Sequence, residues 1–297
     1  MFRAERQQSW GWVIAIYVFL AGVGGGTFLF SFVFAVMDMY RPVARVGALI
    51  GPLLVLFGTF FLLFDLGSIT KAYRLFTTAS TLLTSWMARG AWILAAFIIC
   101  GLAYALPSFE LFNWLPWTQT SGLRQGIGIA AALLSILVVV YPGFLLGVIT
   151  SIPLWNTPAL PLLFFLSGLD TGIGVLAIVS LSFPASLGAA GFHLLGAAVE
   201  LALILLLMIV LGAYIDIVRQ SGVTASASVQ LLKTPIFIGG VIILGLIVPF
   251  GLSLLSLFVS DELTIRTLGG ITGTFVLVGG LLLRYSVIRA GVRISVR

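Results

Sequence analysis

Long apolar runs, about eight of them and nearly free of charge, constrain this protein more than any other feature. Each approaches the roughly 20 residues an α-helix needs to cross a bilayer. In hydrocarbon every backbone polar group must be satisfied internally, which leaves helices or closed barrels. Barrel strands would alternate polar and apolar residues over short stretches. These runs do not alternate, so the expected fold is an all-α integral membrane protein. Composition agrees: 61% of residues are hydrophobic and 8% are charged, against roughly 25% charged in a soluble domain.

The expected spans run from Trp12 to Val36, Gly47 to Leu66, Gly90 to Leu106 and Gln125 to Ile149. The second half follows with Ala159 to Leu181, Ser186 to Ile215, Pro235 to Leu257 and Leu268 to Ile288. The first apolar stretch is too long for a cleaved leader and lacks a small-residue cleavage site. An even number of crossings puts both termini on one side, the N-side. The connections Gly67 to Arg89 and Ser151 to Pro158 fall there. On the far side, Pro107 to Arg124 carries Trp114 and Trp117, residues suited to the membrane interface. Asp216 to Thr234 reads as a joint between helix groups.

Basic residues gather on the N-side, at Arg3, Arg6, Lys71, Arg74, Arg89, Arg219, Lys233, Arg289, Arg293 and Arg297. The far side holds Arg41, Arg45, Arg124 and Arg266. The positive-inside rule then places the N-side in the cytoplasm. The net charge of +6 is spread over helix ends and is no nucleic-acid signature. One histidine, His193, and one cysteine, Cys100, exclude a bis-histidine haem and a cysteine-ligated iron–sulfur cluster within the chain. Electron transfer here would need a diffusible carrier or a partner's cofactors.

Glycines recur at small-xxx-small spacing, as in Gly22 with Gly26 and Gly168 with Gly172, which lets helices approach closely in lipid. The run from Gly22 is no dinucleotide loop, because it lies inside a span and Thr27 stands where a third fingerprint glycine would fall. "FLAGVGGG" from Phe19 and "FLSGLDTG" from Phe165 both fit F-L-x-G-x-x-x-G. The echo suggests two four-helix bundles, residues 1–150 and 151–297.

Ionisable residues inside membrane spans are costly and therefore point to function. Asp65, Asp170, His193 and Glu200 stand out, with Arg124 at the far side. His193 and Glu200, seven residues apart, share a helix face. Read inward from the far side, Arg124, His193, Glu200, Asp170 and Asp65 form a broken polar line that could relay protons, or could serve packing through interhelical hydrogen bonds. A second group gathers on the N-side: Tyr17, Asp65, Lys71, Arg74, Tyr141, Trp155 and Asn156. Aromatic rings, phenols, a carboxylate and cations suit a flat amphipathic ligand such as a quinone. An aromatic belt with snorkelling cations is the alternative.

The stretches "WGWVIAIYVFLAGVGGGTF", "LLFDLG", "SWMARGAW" and above all "YPGFLLGVITSIPLWN" (Tyr141 to Asn156), continuing into "SGLDTG", resemble the NrfD-like family typified by the polysulfide reductase membrane anchor. The resemblance implies a haem-free subunit that binds quinone or menaquinone near the face where an iron–sulfur, ferredoxin-like subunit docks. A molybdopterin or multihaem catalytic subunit completes such complexes. Tyr141 then stands at a family tyrosine that contacts the quinone, Tyr17 where some members carry histidine, and Ile14 where they carry asparagine. The implied location is the prokaryotic cytoplasmic membrane. In many relatives the partner docks outside the cytoplasm, against the charge count. Two other functions fit the residues: an ion-coupled secondary transporter using Asp170 and Glu200, and a passive anchor.

Overall fold

The computed structural model describes residues 2–6, 10–66, 85–112, 114–118, 120–183, 189–221, 228–230, 232 and 234–296. For Asp65 and His193 the backbone is described and the side chain is not. Lys71 and Arg74 lie outside the described residues.

Among the described residues eight helices are long and apolar enough to span a membrane. They are α1 (Trp12–Val36), α2 (Arg41–Leu66), α3 (Trp86–Ala105), α4 (Ser121–Gly147), α5 (Ala159–Ser180), α6 (Ala189–Gln220), α7 (Ile236–Ser256) and α8 (Glu262–Arg289). The protein is a multi-pass, all-α membrane protein, as expected from its apolar runs. Several helices outrun their apolar segments. α2 begins at Arg41 rather than Gly47, α4 takes in Arg124, α6 continues through Asp216 to Gln220, and α8 takes in Arg266. Backbone hydrogen bonding does not stop where hydrocarbon stops, so charged turns stay helical at the interface.

One small element departs from the all-helical expectation. Strand β1 (Phe2–Arg6) pairs antiparallel with β2 (Val292–Val296), Phe2 opposite Val296 and Arg6 opposite Val292. The two termini therefore meet at one end of the bundle. Two isolated five-residue strands, far apart in sequence, carry no periodic signal that would separate them from loop.

α1, α5 and α8 are the most enclosed helices. α1 packs on α2, α4, α5 and α8. Large apolar side chains such as Phe64, Ile99 and Ile209 face outward, whereas Asp170, Glu200 and Arg284 are buried. The echoing glycine motifs explain the centre. Gly22 and Gly26 of α1 face Gly168 and Gly172 of α5, so the two helices touch backbone to backbone. A Cβ on Gly172 would lie 2.5 Å from the Thr27 nitrogen and 2.7 Å from the Gly26 Cα.

The first 12 residues of α7, Ile236–Ile247, are π-helical. Within it, Gly245 of α7 packs against Gly279 of α8. π-helical turns occur often at functional sites, and this one borders the buried acids described below.

Substituting Gly172 by Leu is expected to cost at least 1–3 kcal/mol, because neighbouring backbone cannot yield as a side chain would. Gly212→Leu, where an added Cβ meets nothing within 4 Å, should leave the folded yield unchanged. Fluorescence-detected gel filtration after a heat step compares the two.

Candidate functional site

The end of the bundle that carries the strand pair is rich in aromatic groups with polar edges. Tyr17 of α1 is 3% exposed. Tyr141 of α4 lies close enough for the two phenols to interact electrostatically. The Tyr141 hydroxyl donates to the backbone carbonyl of Trp86, at the start of α3. Arg89, one turn further, lies within electrostatic reach of Tyr141 and sits 4.9 Å from the Trp86 ring centroid. Ser85 caps α3 by accepting from the Ala88 N–H at 3.4 Å, which fixes where Trp86 begins the helix. Gly90 leaves room for the Tyr141 ring; a Cβ there would fall 2.5 Å from the phenol oxygen. Pro142 follows Tyr141 inside α4. It has no N–H, so the Val138 carbonyl loses its helical partner at this level.

Two aromatic pairs flank this group. Trp12 stacks on Tyr285 with centroids 3.7 Å apart, and Arg289 donates to the Tyr285 hydroxyl at 2.6 Å. Trp10 stacks on Trp155 at 5.4 Å. The Trp155 indole donates to the Val287 carbonyl at 2.9 Å. Tyr214 of α6 donates to the Leu154 carbonyl at 2.8 Å. The α4–α5 connection is thus pinned to α6 and α8. Trp155 serves that pinning, and Asn156 is exposed beside it.

A second set of polar groups lies in the interior. Asp170 sits within the glycine motif of α5, 2% exposed, and one carboxyl oxygen has no hydrogen-bond partner among the described residues. Beside it is a cavity of about 10 Å³, lined by Ser167 and Asp170 of α5, Gly245 of α7 and Gly280 of α8. That is the room one water occupies. Ser167 accepts from Arg284 of α8 at 3.0 Å, and the same guanidinium nitrogen donates to the Gly280 carbonyl at 3.0 Å. Arg284 is 1% exposed, and among the described residues no carboxylate pairs with it. Glu200 of α6 lies within electrostatic reach of Asp170. One of its oxygens accepts from the Ser253 hydroxyl at 2.8 Å and the other has no partner among the described residues. A cavity of about 30 Å³ adjoins it, lined also by Ser253, Ser256 and Thr272.

The structure thus places Tyr17 within electrostatic reach of Tyr141, and Asp170 within reach of Glu200. Arg124 belongs elsewhere. It lies at the opposite end of the bundle, donating to the Tyr104 carbonyl at 3.3 Å and to the Ser108 hydroxyl. No described contact joins it to the buried acids. The sequence alone assigned no role to Arg284, Ser167, Ser253 or Trp86. A charge in the middle of an apolar run was the signal for Arg284. Nothing in the sequence marks a backbone carbonyl or a serine as a partner.

Comparison with known proteins gives the family. The model of the family described as "Polysulphide reductase, NrfD" matches residues 2–295. The chain belongs to the NrfD family. It is 32% identical over 188 residues to the C subunit of the polysulfide reductase of Wolinella succinogenes, covering 59% of each protein. It is 28% identical over 191 residues to protein NrfD of Escherichia coli, covering 57% of this protein and 58% of that one. An NrfD homolog of Haemophilus influenzae is 25% identical over 311 residues, covering 95% and 94%. The matches thus span about three-fifths of the length of the first two relatives.

A buried guanidinium without an acid partner is costly in hydrocarbon. Arg284→Met is therefore expected to leave stability unchanged or raise it by about 1–2 kcal/mol. A thermal melt of the purified protein checks this. A fall of more than about 5 °C would instead make Arg284 a keystone of packing.

Proposed function

We propose that this protein is a quinone- or quinol-binding membrane subunit of a respiratory oxidoreductase complex. It exchanges electrons with an iron–sulfur partner subunit, itself joined to a molybdopterin or multihaem catalytic subunit. The observation that carries this is the buried pair of phenols, Tyr17 and Tyr141, at the end of a member of the NrfD family. One relative is by its name part of a polysulfide reductase.

The two phenols are complementary in chemistry. Tyr141 commits its proton to the Trp86 carbonyl, so its oxygen offers lone pairs to a hydroxyl donor. Tyr17 makes no hydrogen bond among the described residues, and its O–H is free to donate to a carbonyl oxygen. One group that donates and one that accepts suit the two redox forms of a quinone ring. When bound, the quinone supplies two-electron, two-proton chemistry between the membrane and the partner. Arg89 supplies positive charge at this face for the head group or for the docking partner, a role the sequence also suggests for Lys71 and Arg74. Asp65, at the end of α2, is placed in the sequence to give or take a proton. Trp155 pins the α4–α5 connection, with Asn156 exposed next to it.

Behind the pair, Asp170 and Glu200 provide carboxyls with unpartnered oxygens beside cavities of water size. We propose that they, with His193, pass protons along α5 and α6, with Ser253 orienting Glu200. The same enclosed acids favour one other function, an ion-coupled transporter. Transport by the purified protein without any partner would decide for it. Cytoplasmic placement of the strand-paired end, from the distribution of Lys and Arg, is likewise a proposal.

Quinol oxidation by the assembled complex tests the site. Tyr141→Phe should lower kcat/KM about tenfold, the size of one hydrogen bond. Gly90→Ala should lower it similarly by displacing the Tyr141 ring, and Asp65→Asn should slow the proton step. Unchanged rates in both Tyr141→Phe and Asp65→Asn would end the assignment. In proteoliposomes, Glu200→Gln and Asp170→Asn should reduce proton uptake per quinol while the complex stays assembled. Full uptake in both variants would remove the acids from the route.

A further inference from the structure

At the end of the bundle opposite the tyrosine pair lies a cavity of about 440 Å³, within the usual size range of small-ligand sites. It opens among the last turn of α1, the first turns of α2 and α4, and the end of α3. Three guanidinium groups line it: Arg41, Arg45 and Arg124. Among the described residues one carboxylate lines it, Asp38. That carboxylate is already taken. Arg41 donates to both of its oxygens, with the longer contact at 2.8 Å, and this pairing holds the Asp38 carboxyl below the usual carboxylate range.

The other two cations have no counter-charge among the described residues. Arg45 makes no hydrogen bond or ion pair there. Arg124 donates only to neutral groups, the Tyr104 carbonyl and the Ser108 hydroxyl, and its ring contact is with Tyr104 at 5.4 Å. It is therefore turned into the protein rather than out to solvent. The hydroxyl oxygen of Thr118, also on the cavity wall, is buried and has no hydrogen-bond partner among the described residues. An exposed guanidinium at Arg45, a half-buried one at Arg124 and an unpartnered hydroxyl on one cavity wall suit an anion with several acceptor oxygens.

The backbone adds to this. α2 and α4, of 26 and 27 residues, both begin at the cavity, so the positive ends of two helix dipoles point toward it. α1 ends there too, but its last carbonyls are capped: Met37, Asp38 and Met39 donate to Val33, Ala35 and Phe34. Their negative end is thereby blunted. The turn between α1 and α2 holds two non-glycine residues in the left-handed region, Asp38 at φ 57° and Tyr40 at φ 41°. That conformation sets Asp38 and Arg41 at the rim. One wall is apolar, formed by Phe32, Ala35 and Ala48. Trp114, 75% exposed, stands on the adjoining connection.

We infer that this cavity is a binding site for a phosphate-bearing anion, held by Arg45 and Arg124 with Thr118 and with Arg41 at the rim. Guanidinium groups match phosphate oxygens in geometry and charge, and basic pockets between membrane helices are known to take lipid head groups. The shared chemistry could be met by an anionic phospholipid or by free phosphate. The site is separate from the tyrosine pair and does not depend on the quinone proposal.

The full-length protein, purified in its complex and exchanged into vesicles containing phosphatidylglycerol and phosphatidylcholine, is re-extracted in mild detergent and weighed by native mass spectrometry. The wild type should retain phosphatidylglycerol over phosphatidylcholine. Retention should fall roughly tenfold in the Arg45→Gln/Arg124→Gln double variant, the size of one lost charge-assisted contact or more. It should recover in part in Arg45→Lys/Arg124→Lys, and should not change in Arg219→Gln, which alters an exposed arginine outside this cavity. In parallel, inorganic phosphate is titrated against the delipidated protein in a thermal shift assay. Phosphate stabilisation that needs Arg45 and Arg124, without lipid retention, assigns the site to a soluble anion. A wild type that neither prefers phosphatidylglycerol nor responds to phosphate overturns the proposal, whether or not the variants fold. So does equal binding by the wild type and a well-folded double-Gln variant.

Discussion

The backbone contact between α1 and α5 organises the rest of the structure. Gly22 and Gly26 meet Gly168 and Gly172 with no side chain between them. In lipid there is no hydrophobic gain from bringing helices together, so close van der Waals packing must supply the association. Once α1 and α5 are in contact, α4 and α8 pack against both. The motif that makes the contact also carries Asp170 and Ser167 on its other faces. The same close approach that joins the helices therefore encloses the acid.

This enclosure sets the electrostatics of the interior. A carboxyl in hydrocarbon must find hydrogen bonds or water. Asp170 and Glu200 have one described partner between them, the Ser253 hydroxyl, and two cavities of water size. Arg284 is treated differently, with carbonyls and a serine as its partners. The π-helical part of α7 lines one of these cavities, and the absence of side chains lets Gly245 approach Gly279 there.

The two ends of the bundle differ in kind. One end gathers phenols and indoles whose hydrogen bonds go to backbone carbonyls, at Trp86, Leu154 and Val287. Those bonds fix ring orientation without using charge. The other end gathers guanidinium groups around a cavity. Arg124 shows why position along a helix does not settle role: on the sequence it continues a line of polar residues toward Glu200, while in space its guanidinium turns to Tyr104 and Ser108. The distribution of charge between the ends is a matter of which side chains find neutral partners and which find none.

Apolar run length was enough to determine the eight spanning helices, because a bilayer accepts a helix of suitable length almost regardless of its neighbours. The counts of histidine and cysteine were enough to exclude a bis-histidine haem and a cysteine-ligated cluster within the chain, and the sequence marked Asp170, Glu200 and the glycine echo as unusual. Helix ends were less legible, since Arg41, Arg124 and Arg266 are polar yet helical. What only the tertiary structure decided is partnership. That the two echoing motifs pack on each other, that Tyr141 reaches the Trp86 carbonyl, that Arg284 meets Ser167, and that Arg45 and Arg124 share one cavity all depend on which helices are neighbours. Neighbours are chosen by backbone approach distances, and a sequence records the glycines that permit an approach without recording which helix makes it.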